Sequence, residues 1–391
     1  MEHPVLCAAA KALGQPLACR GEPGLLDRAR RRACLISRMP RTPEPNTPWV
    51  RKLCAVTDRL CDSGEILVTS VGRLPFELSL WKARERGGAA VVVLPEAPTP
   101  QLENETHLRE LLPENHLLVW PQSAFSAAAT QFLRDRLMGE LADRASLIEI
   151  RRGGNMTRVL DSLCARHCPI EHAPEPPGND EPQPFAATPA PDEPPIFPEN
   201  WDFLTHFTRE AEGPWPGEPI GAYFKWLASG IPFIPRDAFA TLCRILDERL
   251  LRGSSTFISG KARMVCFSAV EPAHAASLRR WRRGLGRWSL SLHGVALRRE
   301  VLRKAGARPV EYVPGEALKT TDSAERCFVQ LKKSSAADWS EEHEWRIHGD
   351  VDFSQVPAGD LCVLVSTPAE AAHIRKTYAL AAYVLPGTET A

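Results

Sequence analysis

Short apolar runs alternate with segments of helical apolar spacing through the first 165 residues. Runs with the length and composition of buried strands occupy residues 33–38, 65–70, 89–96 and 116–122. Residues 48–64 and 71–88 carry apolar side chains at helical intervals, and each segment ends at glycine. This alternation predicts an α/β domain with a Rossmann-like, doubly wound parallel sheet.

A different order of elements follows residue 200. A short strand (204–209) and a long helix (237–255) come first, and a second strand (263–268) follows. Residues 289–313 predict strand, helix and strand, the nonapeptide WSEEHEWRI (339–347) another strand, and residues 361–378 a last strand and helix. This half is expected to be a separate α+β domain.

The two patterns are separated by HAPEPPGNDEPQPFAATPAPDEPPIFPEN, residues 172–200. The segment is rich in proline and acidic residues and poor in large apolar side chains, so it cannot bury enough surface to offset its chain entropy. We therefore expect a first domain at 1–171, a linker at 172–200 and a second domain at 201–391.

Charge and cysteine usage narrow the classes of partner. The 391 residues hold 48 Lys and Arg against 48 Asp and Glu, so no overall field attracts nucleic acid or a membrane surface. We find no apolar run of membrane-spanning length and no signal-peptide pattern at the start. The 11 cysteines are scattered through apolar contexts, which favours reduced thiols and a cytoplasmic protein.

Candidate ligand contacts in the first domain follow the strands. Ligands of doubly wound sheets bind beyond the carboxyl ends of the strands, where glycine turns let backbone amides approach a phosphate. The glycine turns here lie at Gly72 and at Gly153-Gly154, and Arg38 and Arg134 would neutralise phosphate charge. The candidate nucleotide-binding residues are Ser37, Arg38, Ser70, Gly72, Arg134, Gly153 and Gly154.

The same residues carry a family resemblance over about 30–165. Ser-Arg follows the first strand, a TS-x-G turn follows the second, and RDR with LAD precedes a Glu-bearing strand and a Gly-Gly turn. This order resembles the SLOG superfamily, which includes the Rossmann-like domain of DprA proteins and the lonely-guy nucleotide hydrolases. The resemblance implies a nucleotide-type ligand, or single-stranded DNA in the DprA branch.

Two family motifs are missing from this half. The second strand is followed by VGRLP (71–75) where DprA-like proteins carry a GxD turn, and the lonely-guy PGGxGTxxE motif is absent. We therefore expect binding or sensing in this domain, with a purely structural sheet as the alternative. A cluster of Cys164, His167, Cys168 and His172 is too closely spaced to wrap a tetrahedral metal site, so no metal is predicted.

The nonapeptide WSEEHEWRI poses the main catalytic hypothesis. As a strand it would point Glu342 and Glu344 to one face, either as the charged outside of an edge strand or as paired catalytic carboxylates. The carboxylates come after a His-bearing first strand (His206) and a strand ending in Ser268. This order is similar to the ADP-ribosyltransferase fold.

That resemblance implies an NAD pocket. His206 would hold the ribose, Ser268, or Phe267 by stacking, would lie near the nicotinamide, and Glu344 or Glu342 would be the catalytic acid. A carboxylate of this kind stabilises the oxocarbenium-like cation that forms when the glycosidic bond breaks. NAD would then be a substrate, consumed by transfer or by hydrolysis.

Residues 201–380 also resemble an uncharacterised bacterial family from phage-defence neighbourhoods, through VCFS, GARPV-x-Y and W-x-x-E-x-E-W-R in that order. Together the halves predict a nucleotide sensor tethered to an NAD-using effector. The alternatives are a DprA-like single-stranded DNA-binding protein, for which the Arg- and Trp-rich residues 279–288 would supply contacts, and a non-catalytic interaction protein. A homo-oligomer is compatible with each.

Overall fold

The computed structural model describes residues 3–28, 30–36, 44–98, 106–123, 130–173, 197–198, 200–231, 234–255, 258, 262–279, 281–282, 287–322, 324–332 and 340–385. The chain forms two compact units: Met1–Pro182 with Glu212–Ile234, and Gln183–Ala211 with Pro235–Ala391. The predicted α/β class is confirmed, with a mostly parallel sheet in the first unit and a mostly antiparallel one in the second. Within these ranges, no helix is both long and apolar enough to cross a bilayer.

The first unit is built on a seven-stranded sheet of order β1-β5-β4-β3-β2-β6-β7. All neighbouring strands are parallel except β1, which is antiparallel to β5. Its elements are α1 (Pro4–Leu13), β1 (Leu17–Gly21), β2 (Arg31–Ile36), α2 (Pro48–Asp62), β3 (Ile66–Ser70), α3 (Leu74–Glu85), β4 (Ala89–Val93), α4 (Thr106–Leu111), β5 (Asn115–Pro121), α5 (Thr130–Leu141), β6 (Arg144–Glu149), α6 (Asn155–Ala165), β7 (Ile170–His172) and α7 (Ile220–Ser229).

Helices cover both faces of this sheet. On one face, side chains of α1, α5 and α6 pack with alternate strand residues such as Val68 and Val91. On the other face, α2, α3 and α7 pack with the intervening residues such as Leu67 and Val92. The central strands are therefore buried on both sides, which explains why they appear in the sequence as continuous apolar runs.

Helix α7 lies in the chain beyond the predicted linker, yet it belongs to the first unit. The sequence analysis had assigned residues 201–391 as a whole to the second domain. The physical reason for the difference is burial: Tyr223, Phe224 and Leu227 are fully buried in the cluster formed by α2 and α3. The predicted linker itself lies almost entirely outside the described residues, and β7 extends the first sheet to its first residue, His172.

The second unit is built on a sheet of order β14-β17-β10-β8-β13-β19-β20, in which only β19 and β20 are parallel. Its elements are β8 (Phe203–Phe207), α8 (Ala238–Glu248), β9 (Leu250–Leu251), β10 (Met264–Ser268), α9 (Pro272–Ser277), β11 (Trp281–Arg282), β12 (Arg287–Trp288), β13 (Gly294–Arg298), α10 (Arg299–Lys304), β14 (Arg308–Pro309), β15 (Glu311–Val313), α11 (Gly315–Thr320), β16 (Val329–Leu331), β17 (Glu344–His348), β18 (Val351–Asp352), β19 (Leu361–Val365), α12 (Pro368–Tyr378) and β20 (Ala381–Val384).

One face of this second sheet carries its main core. Leu242 and Leu246 of α8, Leu302 of α10 and Ile374 of α12 pack with alternate residues of the strands, among them Phe267. The opposite face carries smaller apolar clusters and, between them, polar side chains of β8, β10 and β17.

Buried charge at the amino-terminal edge of the first sheet is fully paired. Arg32, which is 6% exposed, donates Nε to Glu65 Oε2 at 2.5 Å and Nη1 to Glu171 Oε2 at 2.8 Å. The remaining donors reach Ser146 Oγ at 3.0 Å and the other oxygens of both carboxylates. Burial acts to lower the pKa of Arg32, but these bonds raise it. The bond from Arg32 also lowers the pKa of Glu171. The network ties β2 to β3, β6 and β7.

We expect Glu65→Gln to lower the free energy of unfolding of the first unit by about 3 kcal/mol, because it leaves the buried Arg32 charge without its main partner. Glu85→Gln, which changes an exposed carboxylate on α3, should change it by less than about 0.5 kcal/mol. Urea unfolding curves, together with hydrogen-exchange rates of the β2 and β3 amides, measure the stability of both variants. Equal values for the two variants would contradict the structural role of the network.

Candidate functional site

The first sheet changes direction between β2 and β6. From β2 the chain adds β3, β4 and β5 successively to one side, and after α5 it returns to place β6 on the other side of β2. The connections that leave β2 and β6 therefore diverge to opposite faces of the sheet. In open α/β sheets this switch point is where ligands bind.

Both predicted glycine turns flank this position. Gly72 follows β3 and has a left-handed φ of 76°, and Gly153 follows β6 with a φ of 72°. The Gly72 amide donates to Glu77 Oε1 at 2.8 Å and the Gly154 amide to Arg151 O at 3.2 Å, so these two amides already have partners. Left-handed backbone at Gly72 and Gly153 is what lets the chain turn from strand into helix within a few residues.

The helices that begin at this edge have no side-chain cap. The N-cap residues of α2, α3 and α6 are Thr47, Arg73 and Gly154, and none of them accepts a bond from the helix through its side chain. By contrast, Asp237 caps α8 and Thr367 caps α12. The positive ends of these three helix dipoles thus face the carboxyl edge without a side-chain N-cap, and α3 carries one carboxylate there, that of Glu77, which accepts the Gly72 amide.

Arg134, a predicted phosphate contact, is buried in a local ion pair. Its Nε and Nη2 donate to Asp135 Oδ1 at 3.0 and 2.7 Å, and its guanidinium carbon lies 4.9 Å from the centroid of the Phe76 ring. Burial raises the pKa of Asp135, while Arg134 and, more weakly, Arg73 act in the opposite direction. Through its contact with Phe76, Arg134 joins the second turn of α5 to α3.

The structure describes one more of the predicted nucleotide-binding side chains, Ser70, but not Ser37 or Arg38. Ser70 is fully buried and donates to Val93 O at 2.7 Å, so it joins the ends of β3 and β4. Ser37 and Arg38 lie outside the described residues. Three arginines outside the predicted set lie in or near the two turns: Arg73 and Arg152 are exposed in the turns, and Arg158 stacks over Phe132. Their position directly after a strand, beside a glycine, was the available signal.

The predicted triad of the second unit is divided between the two faces of its sheet. Ser268 on β10 is directly opposite Thr205 on β8 and Glu344 on β17, so these three side chains share one face. His206 follows Thr205 and points to the other face, where its ring lies 6.0 Å from that of Phe267. The structure therefore brings Ser268 and Glu344 together but not His206.

The surroundings of His206 are apolar. Its Nδ1 lies 2.8 Å from Cys266 O, and burial lowers the pKa of the imidazole. Burial also raises the pKa of the Cys266 thiol to about 12, with Glu344 adding to the effect. A neutral histidine and a protonated thiol are the expected states of both groups at neutral pH.

Glu344 is held by a buried arginine two residues along the same strand. Arg346, 2% exposed, donates Nε and Nη2 to the two oxygens of Glu344 at 2.8 and 2.9 Å. Its other bonds go to Cys327 O at 2.7 Å and Gln330 Oε1 at 2.9 Å. This fork-to-fork pair uses both oxygens of the carboxylate to neutralise the buried guanidinium.

The predicted strand WSEEHEWRI is shorter than expected. Residues 340–342 form a 3-10 turn, His343 has a left-handed φ of 45°, and β17 begins only at Glu344. Glu342 is thus not on the strand, and its carbonyl oxygen accepts a bond from Ser268 Oγ at 2.7 Å. The two carboxylates do not form the one-faced pair that a continuous strand would give.

Two further sequence features have structural outcomes. Among the described residues, no group of three or more His, Cys, Asp or Glu side chains is placed to hold a metal ion, and Cys164 is exposed at the end of α6.

In the Arg- and Trp-rich segment, β11 and β12 form a two-stranded hairpin in which Trp281 is opposite Trp288. The side chains of residues 281–288 are outside the described set.

Comparisons with known proteins bear on the first unit. It resembles DNA processing protein A. The Helicobacter pylori protein, described for its single-stranded DNA binding mode, is 17% identical over 43% of this chain and 78% of its own, with a TM-score of 0.33. The Streptococcus pneumoniae protein is 13% identical over 40% of this chain and 54% of its own, with the same TM-score. No family model and no curated protein matches the chain.

One titratable cluster of the second unit was not foreseen. Glu370, in the first turn of α12, accepts from Ser366 Oγ at 2.8 Å and Ser366 N at 2.9 Å, and His293 Nε2 lies 3.1 Å from its Oε2. Burial acts to raise the pKa of Glu370, but these bonds lower it to about 2. Together with the Thr367 cap, the cluster joins the start of α12 to the loop before β13.

We expect Glu344→Gln to destabilise the second unit by about 3 kcal/mol, because Arg346 then loses its counter-charge in a buried position. Glu311→Gln, an exposed carboxylate on the short strand β15, is the matched control and should have little effect. Hydrogen exchange of β10 and β17 amides measures the difference. An unaltered stability in Glu344→Gln would contradict the structural pairing and favour a functional carboxylate.

The low pKa of Glu370 predicts a pH-dependent stability. A carboxylate with a depressed folded-state pKa stabilises the protein above its unfolded pKa of about 4.5, and this stabilisation is lost as pH falls towards about 2. The free energy of unfolding of Glu370→Gln should thus lie up to about 3 kcal/mol below wild type at pH 7 and converge on it near pH 2. Urea titrations across this range, with exposed Glu271→Gln as control, measure the gap.

Proposed function

We propose that the first unit binds a phosphate-bearing nucleotide at the carboxyl edge of its sheet, between the turn after β3 and the turn after β6. The observation that carries the proposal is the set of uncapped helix N-termini, those of α2, α3 and α6, at the switch point of the sheet. Helix N-termini of this kind favour anions through their dipoles and their first-turn amides.

The size and charge of this edge support the same ligand class. Only β2 separates β3 from β6, so the two turns are about 10 Å apart, two strand spacings, which a single nucleotide can span. Arg73 and Arg152 are exposed in the turns and Arg158 lies in the first turn of α6, so cationic side chains flank both turns. Guanidinium groups bind phosphate through paired, charge-assisted hydrogen bonds.

Binding without turnover is the expected role of this edge. Asp135 is the buried carboxylate here, and it is occupied by Arg134. The NAD-using effector predicted for the second unit has less support, because His206 lies across the sheet from Ser268 and Glu344 is paired with Arg346. The proposed function is therefore nucleotide binding by the first unit, with a second unit that responds to this binding.

The test is the double variant Arg73→Ala/Arg152→Ala, with Arg28→Ala as control. Arg28 is exposed just before β2, at the opposite edge, and should not contribute. Each lost phosphate contact should weaken binding about tenfold, since it removes on the order of 1.5 kcal/mol or more. Fluorescence anisotropy with a labelled ATP analogue and with a labelled ten-residue oligothymidylate measures both proteins.

The two probes separate the hypotheses. ATP-analogue binding that the double variant weakens supports the proposal. Binding of the oligothymidylate alone would replace it with the single-stranded DNA alternative, and that binding should fall steeply with added salt. Binding of the nucleotide that is identical in all three proteins would move the site away from this edge.

A further inference from the structure

Residues 212–234 form an arm that is joined to the second unit at both ends but folds as part of the first. The chain enters the arm after β8, a central strand of the second sheet, and leaves it just before α8. The arm is therefore an insertion in the second unit that completes the core of the first.

The tip of the arm is helix α7, and its apolar side is deeply buried. Tyr223 and Phe224 have no exposed surface, and the Phe224 ring stacks on Trp81 of α3 with 5.9 Å between centroids. At its C-terminal end, Leu227 O accepts the amide of Asn46 at 2.8 Å. Asn46 lies next to Thr47, the N-cap residue of α2, which is one of the helices that begin at the carboxyl edge.

The base of the arm is closed by hydrogen bonds within the second unit. The amide of Ala211 donates to Arg236 O at 2.8 Å, which joins the two chain ends of the arm. Nearby, buried Thr208 donates its hydroxyl to Ala238 O at 3.0 Å, which fixes the end of β8 to the start of α8. The arm thus has defined attachments at both its base and its tip.

We propose that the arm is a coupling device, which links the packing of α2 and α3 in the first unit to the stability of β8 and α8 in the second. A change that displaces α2 or α3 acts on α7 through its buried ring contacts and through the Asn46 bond. Because the base is closed, the displacement of α7 is carried to the paired ends of β8 and α8. The coupling is a property of the unliganded chain, so it does not depend on the proposed nucleotide.

The experiment uses the full-length protein without ligand and compares Phe224→Asp with Ala222→Asp. Ala222 is exposed on the same helix, so its variant adds an equal charge without disturbing the docked side. Hydrogen exchange is read at two sets of amides, those of α2 and α3 and those of β8 and α8. We expect Phe224→Asp to accelerate both sets at least tenfold, and Ala222→Asp to leave both within about twofold of wild type.

Faster exchange in α2 and α3 alone, with wild-type rates in β8 and α8, would overturn the coupling. Leu227→Ala is measured in parallel as a milder variant that keeps the helix apolar. It should accelerate both sets together by a smaller factor, and acceleration of only one set would count against the proposal in the same way. A failure of ATP-analogue binding leaves these rates unchanged, so the two proposals fail separately.

Discussion

The packing of α7 against α2 and α3 is the interaction on which the organisation of the chain depends. Burying a large apolar side chain contributes about 1.5–3 kcal/mol, so Ile220, Phe224, Leu227 and their neighbours contribute on the order of 10 kcal/mol as an upper bound. That is comparable to the entire stability of an ordinary domain, about 5–15 kcal/mol. The N-terminal segment alone would expose this face of α2 and α3.

The second constraint is the cost of buried charge. Arg32 in the first sheet and Arg346 in the second are almost inaccessible, and each has carboxylates and neutral acceptors for its donors. Unpaired, either guanidinium would cost several kcal/mol. The carboxylate of Glu344, which lies between two tryptophans in the sequence, is therefore explained by its pairing with Arg346 in the same nonapeptide. Glu344 and Arg346 are two apart, and strand periodicity places both on one face.

The sequence predicted the first sheet well because its strands are buried on both faces and appear as continuous apolar runs. The expected strand at 65–70 is observed at Ile66–Ser70, and the expected helix at 48–64 ends at Asp62. No helix was predicted at Ile220–Ser229, and apolar side chains at helical spacing would show only that a helix has a buried side, not which surface buries it. The turn at 340–342 was missed because it depends on the left-handed backbone of His343, which no residue-type signal indicated.

For the candidate site, the glycine turns were correctly placed after strands, whereas the buried pairing of Arg134 with Asp135 depends on a neighbouring side chain.

The two edges of the first sheet differ in how their charged groups are paired. At the amino edge, Arg32, Glu65 and Glu171 satisfy each other, so an incoming group would have to displace bonds that already compensate buried charge. At the carboxyl edge, the dipoles of α2, α3 and α6 and the exposed Arg73 and Arg152 contribute positive potential, which Glu77 in the first turn of α3 partly offsets. In the proposed function, an anion bound there would gain charge-assisted hydrogen bonds without breaking a buried pair. Because α2 begins at this edge and the Asn46 amide just before it donates to Leu227 O of α7, the proposed anion position is close to the contact between α2 and the arm.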